Sequence, residues 1–129
     1  MTGIVLDPTT LPSKDRGNGI VTVPLVTAGR GSRTMLTGMT TIAPGSAVPL
    51  HYHNCEECVT VLAGQGVAHI AGADHPVRPR DTSWIPAQVP HCFRNTGTEP
   101  MTIFWVYASI DATRTIVATG KTTRIDEER

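Results

Sequence analysis

His51 and His53 stand two residues apart, and Glu57 follows on the same parity. Alternate residues of an extended strand point to one face, so this spacing sets two imidazoles and a carboxylate side by side wherever the chain stays extended. Such a trio can bind a borderline divalent cation. His91 lies far downstream, beyond two turns, and must come from another strand; strand pairing can bring it opposite the first three. Three neutral imidazoles and one carboxylate leave net positive charge on a divalent ion and leave coordination positions open to water or substrate, the condition for metal-assisted catalysis. An open ion could polarise a carbonyl or enolate oxygen, or acidify a bound water; iron could also take dioxygen. The expectation is one divalent ion per chain. The four ligands suit Fe, Mn, Ni, Co, Zn or Cu without choosing among them.

Three cysteines crowd the same stretches. Cys55 and Cys58 form a Cys-x-x-Cys pair, a spacing used by zinc and redox sites, although a zinc site would need two more ligands. Cys55 shares the parity of His53 and Glu57, which places it at the rim of the pocket or in the turn. Cys58 and Cys92 each follow a candidate ligand directly and should point away from it, as small buried hydrophobes. An odd, low count argues against a disulfide framework and fits a reducing compartment. There is no Ser-His-Asp order and no phosphate loop.

The elements that must position these residues are short. Twelve glycines and ten prolines separate runs rich in Val, Ile and Thr, the pattern of an all-β domain. No long apolar run has helical spacing. Strands are expected near 20–27, 33–42, 51–53, 57–62, 66–70, 75–78, 83–85, 91–95, 101–108 and 113–119. Residues 1–19 read as an N-terminal arm, 20–120 as a barrel, and 121–129 as a charged tail that is frayed or docked on the surface. Nine or ten short strands suggest a closed or double-sheet architecture, which limits exposed edges. The strand at 101–108 is apolar at both parities, as in a strand covered on both faces, and a homodimer is expected on that ground. Met35, Met39, Phe93, Phe104, Trp105 and Tyr107 are candidate pocket residues, whereas Tyr52 should face outward. His69 and His75 read as hairpin or interface residues. Arg78, Arg80 and Arg94 read as solvated charges or as holders of an acidic substrate.

From Gly45, the chain runs through five residues to His51, one to His53, three to Glu57 and six to Gly64. This resembles the first motif of the cupin superfamily at every fixed position. The stretch from Asp81 to Asn95 resembles the second motif through Pro86, His91 and Asn95, with Arg80 and Gln88 standing where the motif usually has glycine. The resemblance spans roughly residues 33–108. It implies a small single-domain cupin, a double-stranded β-helix (jelly-roll) barrel with the arm appended, and His51, His53, Glu57 and His91 as inward-pointing metal ligands. Small cupins include dioxygenases, isomerases, lyases and polyketide cyclases, and they are commonly dimeric. The segment from Asp111 to Gly120 is similar to tails of cyclase-like cupins of aromatic polyketide pathways.

With 129 residues the chain fits one domain. Eleven basic residues balance eleven acidic ones, without the basic excess or stripe of a nucleic-acid binder. No apolar run approaches the roughly 18–20 residues of a bilayer span. The N-terminus lacks the basic start and apolar stretch of a secretory signal, so a cytoplasmic location is expected. The expected partner is a small molecule, not nucleic acid or membrane. Two functions follow: a metal-dependent enzyme (oxygenase, polyketide cyclase or isomerase), or a non-catalytic module that binds a metal or small ligand.

Overall fold

The computed structural model describes residues 2–127. Its twelve strands are, in chain order, β1 (Lys14–Gly17), β2 (Ile20–Pro24), β3 (Leu36–Ile42), β4 (His51–His53), β5 (Glu57–Ala63), β6 (Gly66–Ile70), β7 (Ala73–Val77), β8 (Thr82–Ile85), β9 (His91–Arg94), β10 (Met101–Tyr107), β11 (Thr113–Ile116) and β12 (Thr122–Arg124). They form two six-stranded antiparallel sheets, ordered β1-β2-β3-β10-β5-β8 and β12-β11-β4-β9-β6-β7. Strands distant in sequence are neighbours in both sheets, as in β10 between β3 and β5, and the fold is an all-β double-stranded β-helix. The helical elements among the described residues are single 3-10 turns.

Period-2 alternation explains how the two sheets close on each other. In β10, Met101, Ile103, Trp105 and Tyr107 are buried, while Thr102, Phe104 and Val106 are half-buried. Branched and aromatic residues suit this pleated surface. The inward stripes of β3, β5, β8 and β10 supply Ile42, Val59, Val61, Ile85 and Met101, which are almost wholly removed from water. Each such side chain contributes about 1.5–3 kcal/mol on burial. Ala68 and Phe93 meet them from the facing sheet. Burial of β10 is therefore complete on one face only. Phe104 and Met39, paired in register, lie on the outer face because they alternate with the inward residues. Met35 is exposed just before β3. None of the three reaches the pocket.

Two strands lie in segments read as arm and tail. Lys14–Gly17 carries no apolar side chain, yet its backbone pairs with β2, and Gly17 (φ 80°) stands at a register shift. A glycine adopts that left-handed backbone without the Cβ penalty. In the tail, β12 pairs with β11, and Ile125 is buried in the core.

Candidate metal centre

β4 is three residues long, with His51 and His53 turned inward and Tyr52 half-exposed between them. β5 opens on Glu57 and continues inward through Val59 and Val61. β9 opens on His91, which is the register partner of His51. Paired residues on adjacent antiparallel strands project to one face, and so the second sheet brings His91 beside the His-x-His pair while the first sheet supplies Glu57. One donor atom from each of the four lies within 4.8 Å of the others, and all four residues are buried. Ring centroids are 4.8 Å apart for His51 and His53, 4.3 Å for His51 and His91, and 5.1 Å for His53 and His91.

The backbone fixes which nitrogen of each ring faces the centre. His51 Nδ1 lies 2.6 Å from the Pro49 carbonyl, His53 Nδ1 2.9 Å from the Thr113 carbonyl, and His91 Nδ1 2.9 Å from the Val89 carbonyl. A carbonyl oxygen only accepts, so each Nδ1 must carry the proton and donate. In a neutral ring the Nε2 lone pair is then left pointing inward. His91 Nε2 lies 2.9 Å, and His53 Nε2 3.3 Å, from the same Glu57 Oε1. His53 Nε2 is buried without a hydrogen-bond partner. Three lone pairs and a carboxylate converge out of water, and the donor set fits a divalent metal.

The electrostatics agree. Burial alone would raise the Glu57 carboxyl, but the imidazoles of His53 and His91 beside it outweigh burial and hold the carboxyl down at about 2. His51 is pushed well below the ordinary histidine range, first by burial and then by the charges of Arg114, His91 and His53. Both groups are held in their metal-binding protonation states at neutral pH.

The centre opens into a cavity of about 350 Å³ whose apolar wall includes Phe93, Ile103, Trp105 and Tyr107. The Tyr107 ring lies tilted against those of His53 and Trp105, with centroids 4.6 Å and 5.0 Å away. Trp105 Nε1 donates to Thr40 Oγ1 at 2.9 Å, which fixes the indole. Cys55 is half-buried against the core and is not among the four converging residues. Cys58 sits on the outer face opposite Trp84 in register, and Cys92 is buried. His69 pairs with Asp74 at 2.6 Å in an exposed hairpin; Arg94 takes the other oxygen of Asp74. His75, Arg78 and Arg80 are exposed. Sequence reasoning missed Arg16, Arg114 and Lys121, which also line the cavity. A usable signal existed for one of them: Arg114 is the single charge in an otherwise uncharged strand.

A family model described as Cupin domain matches residues 38–107, more than half of the chain. Auxin-binding protein T85 of Nicotiana tabacum is 34% identical over 77 residues, which are 52% of this chain and 41% of that protein. The polyketide synthase CurC of Streptomyces cyaneus is 32% identical over 89 residues, 68% of this chain and 57% of that protein. The chain thus spans less than two thirds of the length of either relative. The solved structure of the polyketide cyclase RemF from Streptomyces resistomycificus superposes with a TM-score of 0.77 at 17% identity, covering 96% of this chain and 86% of that one. At that identity the likeness is one of fold.

Proposed function

We propose, from the premise that this chain belongs to the cupin domain family, that it is a metal-dependent enzyme acting on a small, flat, oxygen-bearing organic molecule, in the manner of a polyketide cyclase or isomerase. The observation that carries the reading is the convergence of three backbone-locked imidazoles and one carboxylate at the floor of an aromatic-walled cavity. His51, His53, Glu57 and His91 would hold the ion. When bound, it supplies a Lewis acid able to polarise a carbonyl or enolate oxygen. The chain's own residues orient and exclude water. Phe93, Trp105 and Tyr107 offer flat apolar surface to a conjugated body, and the Trp105–Thr40 hydrogen bond holds one face of the slot in place. A cavity of this size suits a small ligand, for which roughly 300–1,000 Å³ is usual. The likeness to a polyketide synthase supports this class of substrate.

Metal analysis of the purified protein, followed by incubation of the loaded form with a linear poly-β-ketone mimic, tests it. Cyclised product that disappears in Glu57→Gln supports the reading. Oxygen uptake with catechols would replace cyclisation by oxygenation. A second reading draws on the likeness to a relative named for binding and not for a reaction: a module that holds a small ligand. Ligand-induced thermal stabilisation with no turnover would favour it.

A further inference from the structure

We propose that Thr22 is a specificity-determining residue of this pocket: its hydroxyl donates a hydrogen bond to a carbonyl oxygen of the substrate, at the end of the cavity remote from Glu57. The inference rests on the reading of the cavity as a substrate site and deepens it, because it requires a second oxygen function besides the one offered to the metal. Thr22 in β2 and Thr40 in β3 are register partners, and Thr40 is in turn opposite Ile103 in β10. Both threonines are more than nine-tenths buried, and both line the cavity together with His51, Glu57 and His91. Glu57 stands opposite Tyr107 at the other end of β10. Tyr107 and Ile103 are four residues apart, roughly 13 Å of strand, with Trp105 between them in the same buried stripe.

Donors outnumber acceptors in this part of the wall. Trp105 Nε1, Thr40 Oγ1 and Thr22 Oγ1 each bring one donor hydrogen. Two hydrogen bonds join them: Trp105 Nε1 to Thr40 Oγ1 at 2.9 Å, and Thr40 Oγ1 to Thr22 Oγ1 at 3.1 Å. An indole N–H only donates, so the first bond uses it. The second uses one hydroxyl hydrogen. One O–H is left over whichever way the pair is turned, and neither hydroxyl has a further hydrogen-bond partner among the described residues. Thr60 and Thr82, on the outer face, show how such a pair is closed elsewhere: they bond at 2.9 Å, and Thr82 Oγ1 passes its hydrogen to the Arg80 carbonyl. Between Thr22 and Thr40, cooperativity sets the order. An oxygen that accepts from the indole is the better donor, since hydrogen bonds in a chain polarise one another. The chain therefore runs from Trp105 through Thr40 to Thr22 and ends in a buried O–H on the cavity wall. A buried donor without an acceptor is costly, and a carbonyl oxygen supplies the acceptor without bringing a donor of its own. The ligand class is thus a flat molecule with an acceptor oxygen set apart from the oxygen it offers to the metal.

The test uses 1-tetralone and its deoxo analogue tetralin, which share a flat aromatic body and differ by the carbonyl oxygen. Both are titrated into the metal-free full-length chain, so that no ion competes for that oxygen. The expected result is that Thr22→Val lowers the ratio of tetralone to tetralin affinity about tenfold, or about 1.4 kcal/mol, while Thr22→Ser keeps the parent ratio. Thr22→Ala takes the place of Thr22→Val should the valine chain fail to fold. The infrared carbonyl band of bound, isotope-labelled tetralone reports on the parent chain itself. It should lie below its position in hydrocarbon solvent, return toward that position in Thr22→Val and stay low in Thr22→Ser. No binding of tetralone to the parent, an unshifted band in the parent, or a ratio or band unmoved by loss of the Thr22 hydroxyl overturns the proposal. Because the titrated chain holds no ion, loss of the carbonyl preference is distinguishable from failure of metal binding, which is read separately by metal analysis.

Discussion

Nε2 of His91 lies 2.9 Å from Oε1 of Glu57, while Nδ1 of the same ring donates to the Val89 carbonyl. A neutral ring so bound turns its Nε2 lone pair toward a carboxylate. His53 repeats the relationship at 3.3 Å from the same oxygen. Uncompensated lone pairs in a buried site are costly, and a bound cation would satisfy them. Titrating divalent ions should therefore raise Tm, by the equivalent of about 2.7 kcal/mol at a hundredfold excess over Kd. His53→Ala should weaken metal affinity by more than the roughly 10–100-fold that follows loss of an outer-shell contact. His69→Ala, in the exposed hairpin, should leave it unchanged. Equal metal occupancy in the two variants would count against the ligand set.

Stability of the metal-free protein should fall with acid in two overlapping steps. The Glu57 carboxyl is held at about 2, against an ordinary 4.5, because His53 and His91 outweigh the effect of burial. A depressed carboxylate contributes stability above its unfolded value, and that contribution is lost as pH falls from 4.5 toward 2. His51 is depressed well below 6.5 by burial and by the charge of Arg114. Below 6.5 the unfolded chain takes up a proton that the folded ring refuses, so folding weakens as pH drops through that range as well. Thermal melts across pH should show a decline beginning near 6.5. His51→Gln should remove the upper part of it and Glu57→Gln the lower part. A flat profile between pH 6.5 and 4.5 would contradict the buried, neutral placement of His51.

The convergence of these four residues was legible in part: His51 and His53 share one face of β4 by a period of two, while Glu57 and His91 each open a strand of their own. The outer strands were not. Lys14–Gly17 has no alternation to read, and only pairing with β2 makes it a strand. The parity of β10 was ambiguous because both of its faces are apolar, so Phe104 was grouped with Trp105 although the two point to opposite sides. Arg16 and Lys121 fell in segments set aside as arm and tail. Their place on the cavity wall depends on where β1 and β12 dock, which no local pattern encodes.

Arg80 and Gln88, which stand where the motif usually has glycine, both adopt left-handed backbone, with φ of 81° and 68°. The loop shape has been kept and the residue has not. The backbone N–H of Arg80 donates to the Val61 carbonyl, and that of Gln88 to the His53 carbonyl, each at 2.8 Å. These bonds hold the strained conformations next to the ligand strands. A non-glycine residue there costs about 1–2 kcal/mol, and a glycine returns about 0.4–1 kcal/mol through the freedom of the unfolded chain. Both side chains are exposed. Arg80→Gly and Gln88→Gly should each stabilise by about 0.5–1 kcal/mol on this balance. Urea denaturation that shows either variant weaker than the parent would mean that the side chain holds a contact worth more than the strain.

Gly38 decides the shape of the aromatic wall. It is the register partner of Trp105, and a Cβ placed on it would lie 2.2 Å from Cζ2 of the indole. Trp105 can lie flat across β3, with Nε1 donating to Thr40 Oγ1, only because position 38 carries no side chain. Alanine there would lift the ring off the strand and turn it toward the cavity. Thr40 Oγ1 would lose that donor, though its contact with Thr22 Oγ1 at 3.1 Å would remain. Gly38→Ala should therefore destabilise by about 1–3 kcal/mol, the usual cost of overpacking, and should weaken binding of flat aromatic probes more than it weakens metal affinity, since the three atoms nearest a Cβ there all belong to Trp105. Tryptophan fluorescence during probe titration reads the displaced ring directly, although Trp84 on the outer face contributes a constant background. An unchanged emission spectrum together with unchanged probe affinity would show that the strand, not the indole, yields.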